Sequence, residues 1–441
     1  MSAQDTRDPP ATFSVNPQTP NRTVRHRSSL EHVFQFTLAT PQPSREQAAE
    51  AHFLYHQIVD DCEAAGLFIP TTSNTDGGES VAKVYLHNLF RSLHQFCPTV
   101  TGQLNLVRMI LHGLFSPDAT SDDDRLLDSI LPLALKWLDA SNPERQRIHK
   151  TLQAIALDFV DAFFVPLMAQ SSCTHTLSNV LTPPSASNIS PSQGTPVRLG
   201  SLRHLCLLRD ANRCVVSGHL DNQAYNQARK LGHRHPRGTY TVVTQAAHII
   251  PHSLNSVTSS GASLADTKNF VWQILNMFQP GTSTQLEGAL IDTPANALML
   301  ATEIHNEFGR LRCYFDAVLG SAHTYEVKTT RDAAPLLPGL YPPSGQVTFR
   351  NNEPDGKQLA DLPCPRLLGL HAACCKMMEM AGAAEYVDKV LDDMERMQEE
   401  GTLAENGSSD IGLLLRMKGL GCWEGYGEEA QAERRAVVSD A

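Results

Sequence analysis

The chain has 441 residues, 41% of them hydrophobic, and a formal net charge of −11 at pH 7. That length allows two or three domains. The acidic balance excludes a protein that coats nucleic acid with its whole surface, so any such contact must come from a local basic patch. Ten cysteines are scattered without a C-x-x-C pair, which argues against a structural zinc ribbon. The polar N-terminus lacks a signal-type apolar core, and no apolar run is long enough to span a bilayer. The expectation is an intracellular protein of nucleus or cytoplasm, with reduced thiols and no membrane partner.

Residues 1–39 are rich in Pro, Thr, Asn, Gln and Arg and read as a disordered tail. Ser44-Arg45-Glu46-Gln47 has the form of a capping box, opening a helix that runs through Ala65 and stops at Gly66. Val81, Val84, Tyr85, Leu89 and Leu93 fall at helical spacing within Ser80 to Phe96. The pattern continues over Leu104 to Phe115, over Asp122 to Leu138, and from Asn142 to about Met168, where Pro166 is placed to bend or end the last helix. Residues 40–170 therefore read as a separate helical module with no catalytic spacing. Residues 171–200, including Pro183-Pro184-Ser185-Ala186-Ser187, read as a disordered linker.

The character changes over residues 201–350. Thr239 to Thr244 is β-branched and aromatic, a strand, and Asn296 to Leu300 is a second one. Thr302 is placed to cap the helix that carries His305. Phe270 to Leu275 reads as a short helix between the two strands. His323 to Thr330 and Gln346 to Arg350 alternate as strands. Leu367 to about Glu400 is a long helical pattern, giving a C-terminal helical extension over 351–400, with Cys374-Cys375 as core filler. Residues 401–441 form a flexible tail, broken at Asn406-Gly407-Ser408-Ser409-Asp410. No G-x-S-x-G, phosphate-binding loop or dinucleotide fingerprint occurs.

Three segments carry chemistry: Ala246-Ala247-His248-Ile249-Ile250-Pro251, Pro294-Ala295-Asn296-Ala297-Leu298-Met299-Leu300, and Ile304-His305-Asn306-Glu307-Phe308. They supply a His at a strand end, an Asn opening a second strand, and a His one turn into a helix. A single-metal site that cuts phosphodiesters needs one imidazole to deprotonate water, and another to bind the metal that takes up the developing phosphate charge. For each residue a plainer reading stands beside this one: a loop-bonded His248, a turn Asn296, and a His305 packed on Phe308.

The pattern resembles the HNH (ββα-metal) nuclease family, specifically its fungal HNH-domain proteins. Arg213 to Gly218, Phe270 to Leu275, Leu290 to Asp292 and Arg310 to Asp316 add to the likeness, which covers roughly residues 200 to 350. The resemblance implies an α+β fold: a helical N-terminal module, a linker, an HNH-like ββα-metal domain over 201–350 with an insertion and extra strands, and a C-terminal helix. It implies His248 as general base, Asn296 as the residue that orients the hairpin loop, and His305 as metal ligand. The cofactor would be a divalent ion, Mg, Mn, Zn or Ni.

Two departures weaken the activity. Many family members carry a metal ligand immediately before the base and another one helical turn after the helix His; here these positions hold Ala247 and Gly309. Asp292 is the better replacement ligand, ahead of Glu307, Asp316 and Gln245. The 48 residues from His248 to Asn296 exceed a compact ββα connection, and the fungal subgroup carries such an insertion. Residues 201–250 hold seven basic side chains against two acidic ones. Arg229, Lys230, Arg234 and Arg237 are the candidate nucleic-acid contacts, or simply a solvated basic loop. The leading function is a metal-dependent DNA endonuclease. The alternative is a catalytically degenerate HNH fold that binds DNA or protein.

Overall fold

The computed structural model describes residues 42–69, 83–115, 126–137, 142–169, 195–255, 262–331, 333, 339–352 and 360–399. The expected tails 1–39 and 401–441, and the linker up to residue 194, lie outside the described residues.

Helix α1 (Arg45–Ala64) opens on the expected capping box: Ser44 accepts from the Gln47 amide, and the Gln47 side chain returns to the Ser44 amide. Gly66 follows it at φ 60°, a left-handed position suited to glycine. The next helices are α2 (Leu86–Gln95), α3 (Val100–Phe115), α4 (Leu126–Trp137) and α5 (Asn142–Phe159). Helix α2 starts later than the Ser80 pattern, because Tyr85 pairs with Phe68 in an isolated bridge. Beyond α5 the chain makes a π turn over Val160–Phe164, closed by the Val165 amide on the Val160 carbonyl. Pro166 explains it: proline has no N–H and clashes with the carbonyl four residues back, and a widened turn accommodates both. The expectation that no run is long enough to span a bilayer is corrected for Pro143–Ala169, which passes by length and composition, although its most apolar window is mostly buried inside the protein.

Residues 40–170 do not stand apart as a separate unit. Their apolar side chains share one hydrophobic core with residues of 214–394. The joint is polar as well as apolar. Helix α8 (Ala262–Phe278), built from the insertion, lies against α3: Thr99 donates to the Phe278 carbonyl at 2.8 Å and Asn105 to that of Met277 at 3.3 Å. Gly102 permits the approach, since a Cβ there would sit 2.1 Å from the Phe278 oxygen. The insertion is thus part of the core.

Helix α6 (Thr195–Arg209) begins inside the stretch expected to be linker. The Arg213 to Gly218 segment is a turn entered by an isolated antiparallel bridge of Arg213 with Leu220, with Gly218 at positive φ. Strands β1 (Leu220–Asp221) and β2 (Thr241–Val242) pair in parallel around α7 (Asn222–Lys230). Strands β3 (Thr244–His248) and β4 (Ala297–Ala301) form the antiparallel hairpin of the site, in unbroken register from Thr244↔Ala301 to His248↔Ala297. Helix α9 (Thr302–Gly309) follows directly. Thr302 does not cap it; the N-cap is Ala301, and the Thr302 hydroxyl reaches the Val243 carbonyl. Strands β5 (Cys313–Ala317), β6 (Thr324–Thr329) and β7 (Gln346–Thr348) make an antiparallel sheet. The C-terminal pattern is two helices, α10 (Pro365–Ala381) and α11 (Ala384–Glu399), parted by Gly382 at φ 68°. Cys374 and Cys375 are buried in α10 as expected of core thiols.

Candidate active site

Strand alternation sorts the hairpin's side chains. Successive residues of β3 point to opposite faces, so Thr244, Ala246 and His248 share one face and Gln245 and Ala247 the other. The first face is covered by α6: Leu202 and Cys206 pack on Ala246, Ala297 and Met299. The second faces the main core, where Ala247 joins Ile304 and Phe308 of α9.

On the α6 face His248 sits at the strand end, 8% exposed. Its Nε2–H donates to Asp292 Oδ1 at 3.2 Å, and the same oxygen accepts from His252 Nδ1–H at 2.6 Å. Arg198 of α6 closes the other side, donating to Asp292 Oδ2 at 3.0 Å. The donor atoms of His248, His252 and Asp292 all lie within 4.8 Å of one another. His248 Nδ1 is buried and has no hydrogen-bond partner. Burial pushes the His248 imidazole down and Asp292 offsets it only in part, so the ring is neutral at pH 7. Burial alone would raise Asp292, but the hydrogen bonds from His248 and His252 outweigh it and hold the carboxyl well below the usual range.

Asn296 is the clasp of this loop. It is fully buried. Its Oδ1 accepts from the Ile250 amide at 3.0 Å, and its Nδ2 donates to the carbonyls of Ile250 at 2.9 Å and Ile291 at 3.0 Å. One side chain therefore ties the segment after His248 to the segment that carries Asp292. Arg209 supports it from α6, with its guanidinium on the carbonyls of Pro294 at 2.7 Å and Ala297 at 3.0 Å and a two-point bond to Asp210.

His305 does not join that group. Its Nδ1–H donates to Gln245 Oε1 at 2.7 Å, on the core face of β3. A bond of this kind orients a metal-ligating imidazole. With Ala247 and Gly309 beside it, however, no cluster of three donor side chains forms around His305 among the described residues. His248, Asn296 and Asp292 come together, while His305 bonds Gln245, whose side chain alternates with that of His248 along β3. The other replacement ligands are also spent, Asp316 on Lys376 and Gln245 on His305. His252 and Arg198 were not legible as site residues. His252 lies one helical-turn spacing beyond His248, which was the available signal, but its partner Asp292 is 40 residues away in sequence.

Arg229, Lys230, Arg234 and Arg237 are all exposed, at the end of α7 and in the turn after it. They make no ion pair among the described residues. Tyr225 stacks on His235 beside them, with ring centroids 4.5 Å apart.

The family model described as HNH endonuclease matches residues 214–316. No curated protein and no solved structure matches the chain significantly. The matched span holds the β3–β4 hairpin, its loop cluster and α9, and the match supports the HNH family for this segment, which is less than half of the chain.

Proposed function

We propose that this protein is a divalent-metal-dependent HNH-type endonuclease that hydrolyses phosphodiester bonds in DNA, with its metal seat moved from the helix to the loop. The observation that carries the reading is that two imidazoles converge on Asp292 while His248 Nδ1 is left without a partner. Asp292 and His252 are the residues that would hold the cation. A mixed nitrogen and oxygen donor set suits Mn²⁺, Zn²⁺ or Ni²⁺ better than Mg²⁺. When bound, such an ion neutralises the charge that develops on the phosphate.

The chain's own residues do the rest. His248 is fixed by Asp292 in the tautomer with Nε2 protonated, so Nδ1 carries the lone pair that takes a proton from water. Asn296 keeps the turn after His248 on the Asp292 segment. Arg229, Lys230, Arg234 and Arg237 supply phosphate contacts along the duplex.

The second reading is a catalytically degenerate HNH fold used to bind DNA or protein. Ala247, Gly309 and the Arg198–Asp292 ion pair at 3.0 Å favour it, because an arginine already satisfies the carboxylate that a cation would need. Metal titration and plasmid cleavage by the full chain separate the two. The enzyme reading expects Asp292→Asn and His252→Ala to lose metal, and His248→Ala to keep metal but lose cleavage. No cleavage with any of Mg²⁺, Mn²⁺, Zn²⁺ or Ni²⁺ leaves the binding module standing.

A further inference from the structure

Cations and aromatic rings gather at one edge of the β1–β2 pair. The two strands are parallel, so α7 must carry the chain back from the end of β1 to the start of β2. The last turn of α7, the residues 231–239 that follow it, and His219 and Tyr240 just before the two strands therefore share that edge. Two contacts pin it. The Leu220 amide donates to the Tyr240 carbonyl at 3.2 Å, and the Tyr225 ring of α7 stacks on His235, with centroids 4.5 Å apart, which braces the turn. Arg229, Lys230, Arg234 and Arg237 lie between Tyr225 and Tyr240 in sequence, exposed and without an ion pair among the described residues. The chain carries no acidic residue from Asn222 to Ala265, so the segment itself offers these cations no counter-ion.

Apolar surface is open at the same edge. Tyr240 is 73% exposed and Leu231 is 79% exposed. The Tyr240 ring meets His219 at a tilt, 5.6 Å between centroids, and leaves most of its surface to solvent. Single exposed apolar residues are ordinary. Here they alternate with unpaired cations, and that combination suits a ligand with two chemistries: phosphates for the cations and flat base faces for the ring. A duplex offers the phosphates but stacks its base faces on one another and opens only their edges. An unpaired strand offers both.

We infer that this edge recognises unpaired DNA, with Arg229, Lys230, Arg234 and Arg237 on the backbone and an unpaired base stacked on Tyr240. The inference rests on the reading of DNA as substrate and names the form of it that the chain prefers: a single strand, or a duplex that runs out into one. The four cations serve either form, and Tyr240 adds the preference. Tyr240 lies eight residues before His248, at most about 28 Å along a fully extended chain, a span shorter than one turn of duplex.

The test reads binding of the full chain by fluorescence anisotropy in excess chelator, where metal-dependent cleavage is silent. Two labelled duplexes serve as probes. One ends in a thymidine overhang; the other ends in an abasic overhang of the same length, with the same phosphates and no bases. The thymidine overhang should bind about tenfold tighter, the scale of one stacked base. Tyr240→Ala, at an exposed side chain, should erase that ratio, and Tyr240→Phe should keep it. Arg234→Gln should weaken both probes alike. Equal binding of the two overhangs overturns the proposal and leaves duplex DNA as the substrate. A ratio that survives Tyr240→Ala overturns it too, since the base then stacks elsewhere. If neither probe binds, the proposal falls together with DNA as substrate. A chain that discriminates the overhangs through Tyr240 yet cleaves nothing with any metal upholds the proposal and removes the nuclease alone.

Discussion

On one face of the β3–β4 hairpin His248 meets Asp292 and His252; on the other His305 meets Gln245. Both faces hold an imidazole at hydrogen-bond distance from a side-chain oxygen. They differ in charge and in number. The His248 face has a carboxylate held ionised, two imidazoles on it and one buried ring nitrogen without a partner. The His305 face has a neutral amide, with Ala247 beside it in the apolar core. A carboxylate with imidazoles is a donor set for a cation, whereas an amide and an imidazole in a core satisfy each other. The comparison teaches that the helix positions its histidine against a neutral amide, and that the loop gathers the anionic donor set.

The largest expected effect breaks or upholds this contrast directly. Loss of a positioned base costs on the order of 10² to 10⁴ in rate, so His248→Ala should lower plasmid cleavage by that factor. His305→Ala should leave cleavage within about threefold, because no charge or proton of the reaction resides on its face. Single-turnover rates on supercoiled DNA with Mn²⁺ measure both. A loss at His305 equal to that at His248 would return the metal to the helix and end the relocated seat.

The next effect is on stability. Asn296→Ala removes three hydrogen bonds and strands the Ile250 amide and two carbonyls in a buried place. Each orphaned buried group costs about 1–3 kcal/mol, and some recover water or relax, so the sum expected is about 3–5 kcal/mol. Urea unfolding should show it as a lowered midpoint. Asn296→Asp should be at least as costly, since it keeps the acceptor for the Ile250 amide but sets a buried carboxylate against the two carbonyl oxygens.

Much of this was legible in the chain and some was not. Ser44 and Gln47 were readable as a capping box because they bond each other three residues apart. The orienting role of Asn296 came from the family resemblance, since its partner Ile250 lies 46 residues away. His305 was readable as a helix His, but its partner was not: assigning Gln245 to the core face requires the strand to begin at Thr244, two residues past the centre of the β-branched run that marked the strand. His252 and Arg198 were hidden because they meet Asp292 from 40 and 94 residues away, and no short-range pattern encodes such a contact. The shared core was hidden likewise. Phe278 and Gly102 are far apart in sequence, and only the folded chain shows that the insertion lies against α3.

Restoring the missing ligand sharpens the contrast. Ala247 is fully buried, so Ala247→Asp places a carboxylate in the core beside the α9 face. Without metal it should destabilise by about 3 kcal/mol, the scale of an uncompensated buried charge. With excess Zn²⁺ the loss should be largely recovered, because the introduced carboxylate and His305 would then have a cation to share. Thermal melts with zinc and with chelator give the two values. Equal melting temperatures in both would mean that the His305 face cannot take metal even with an anionic ligand present.

Acid should loosen the helix face. His371 of α10 is buried, donates to the Phe308 carbonyl at 3.1 Å and stacks on the Phe308 ring at 3.8 Å between centroids. Burial pushes it down to about 4. Its folded value lies below its unfolded value of about 6.5, so the unfolded state takes up the proton first. The stability tied to neutral His371 is complete above pH 6.5, and it falls as the pH drops from there toward 4. The loss is no more than about 3 kcal/mol. His371→Gln should flatten that part of the stability–pH curve, measured by urea unfolding at each pH.

The smallest effect concerns the basic turn after α7 and its proposed contact with DNA. Arg229, Lys230, Arg234 and Arg237 are exposed and free of ion pairs among the described residues, in a chain whose net charge is −11. A chain so acidic is repelled by a polyanion unless basic groups face it locally. If these four side chains each neutralise one phosphate, the slope of log K against log salt should shrink by about 0.9 for each one replaced by glutamine. At a single low salt concentration one replacement should change affinity only severalfold, which is why the slope is the sharper measure. The replacements should act additively and regardless of DNA sequence, because phosphate contacts position without specifying. They should also leave the Zn²⁺ affinity of the loop cluster unchanged. A slope that stays constant through all four replacements would remove this patch from the DNA interface, and the contrast between the two hairpin faces would then rest on the His248 cluster alone.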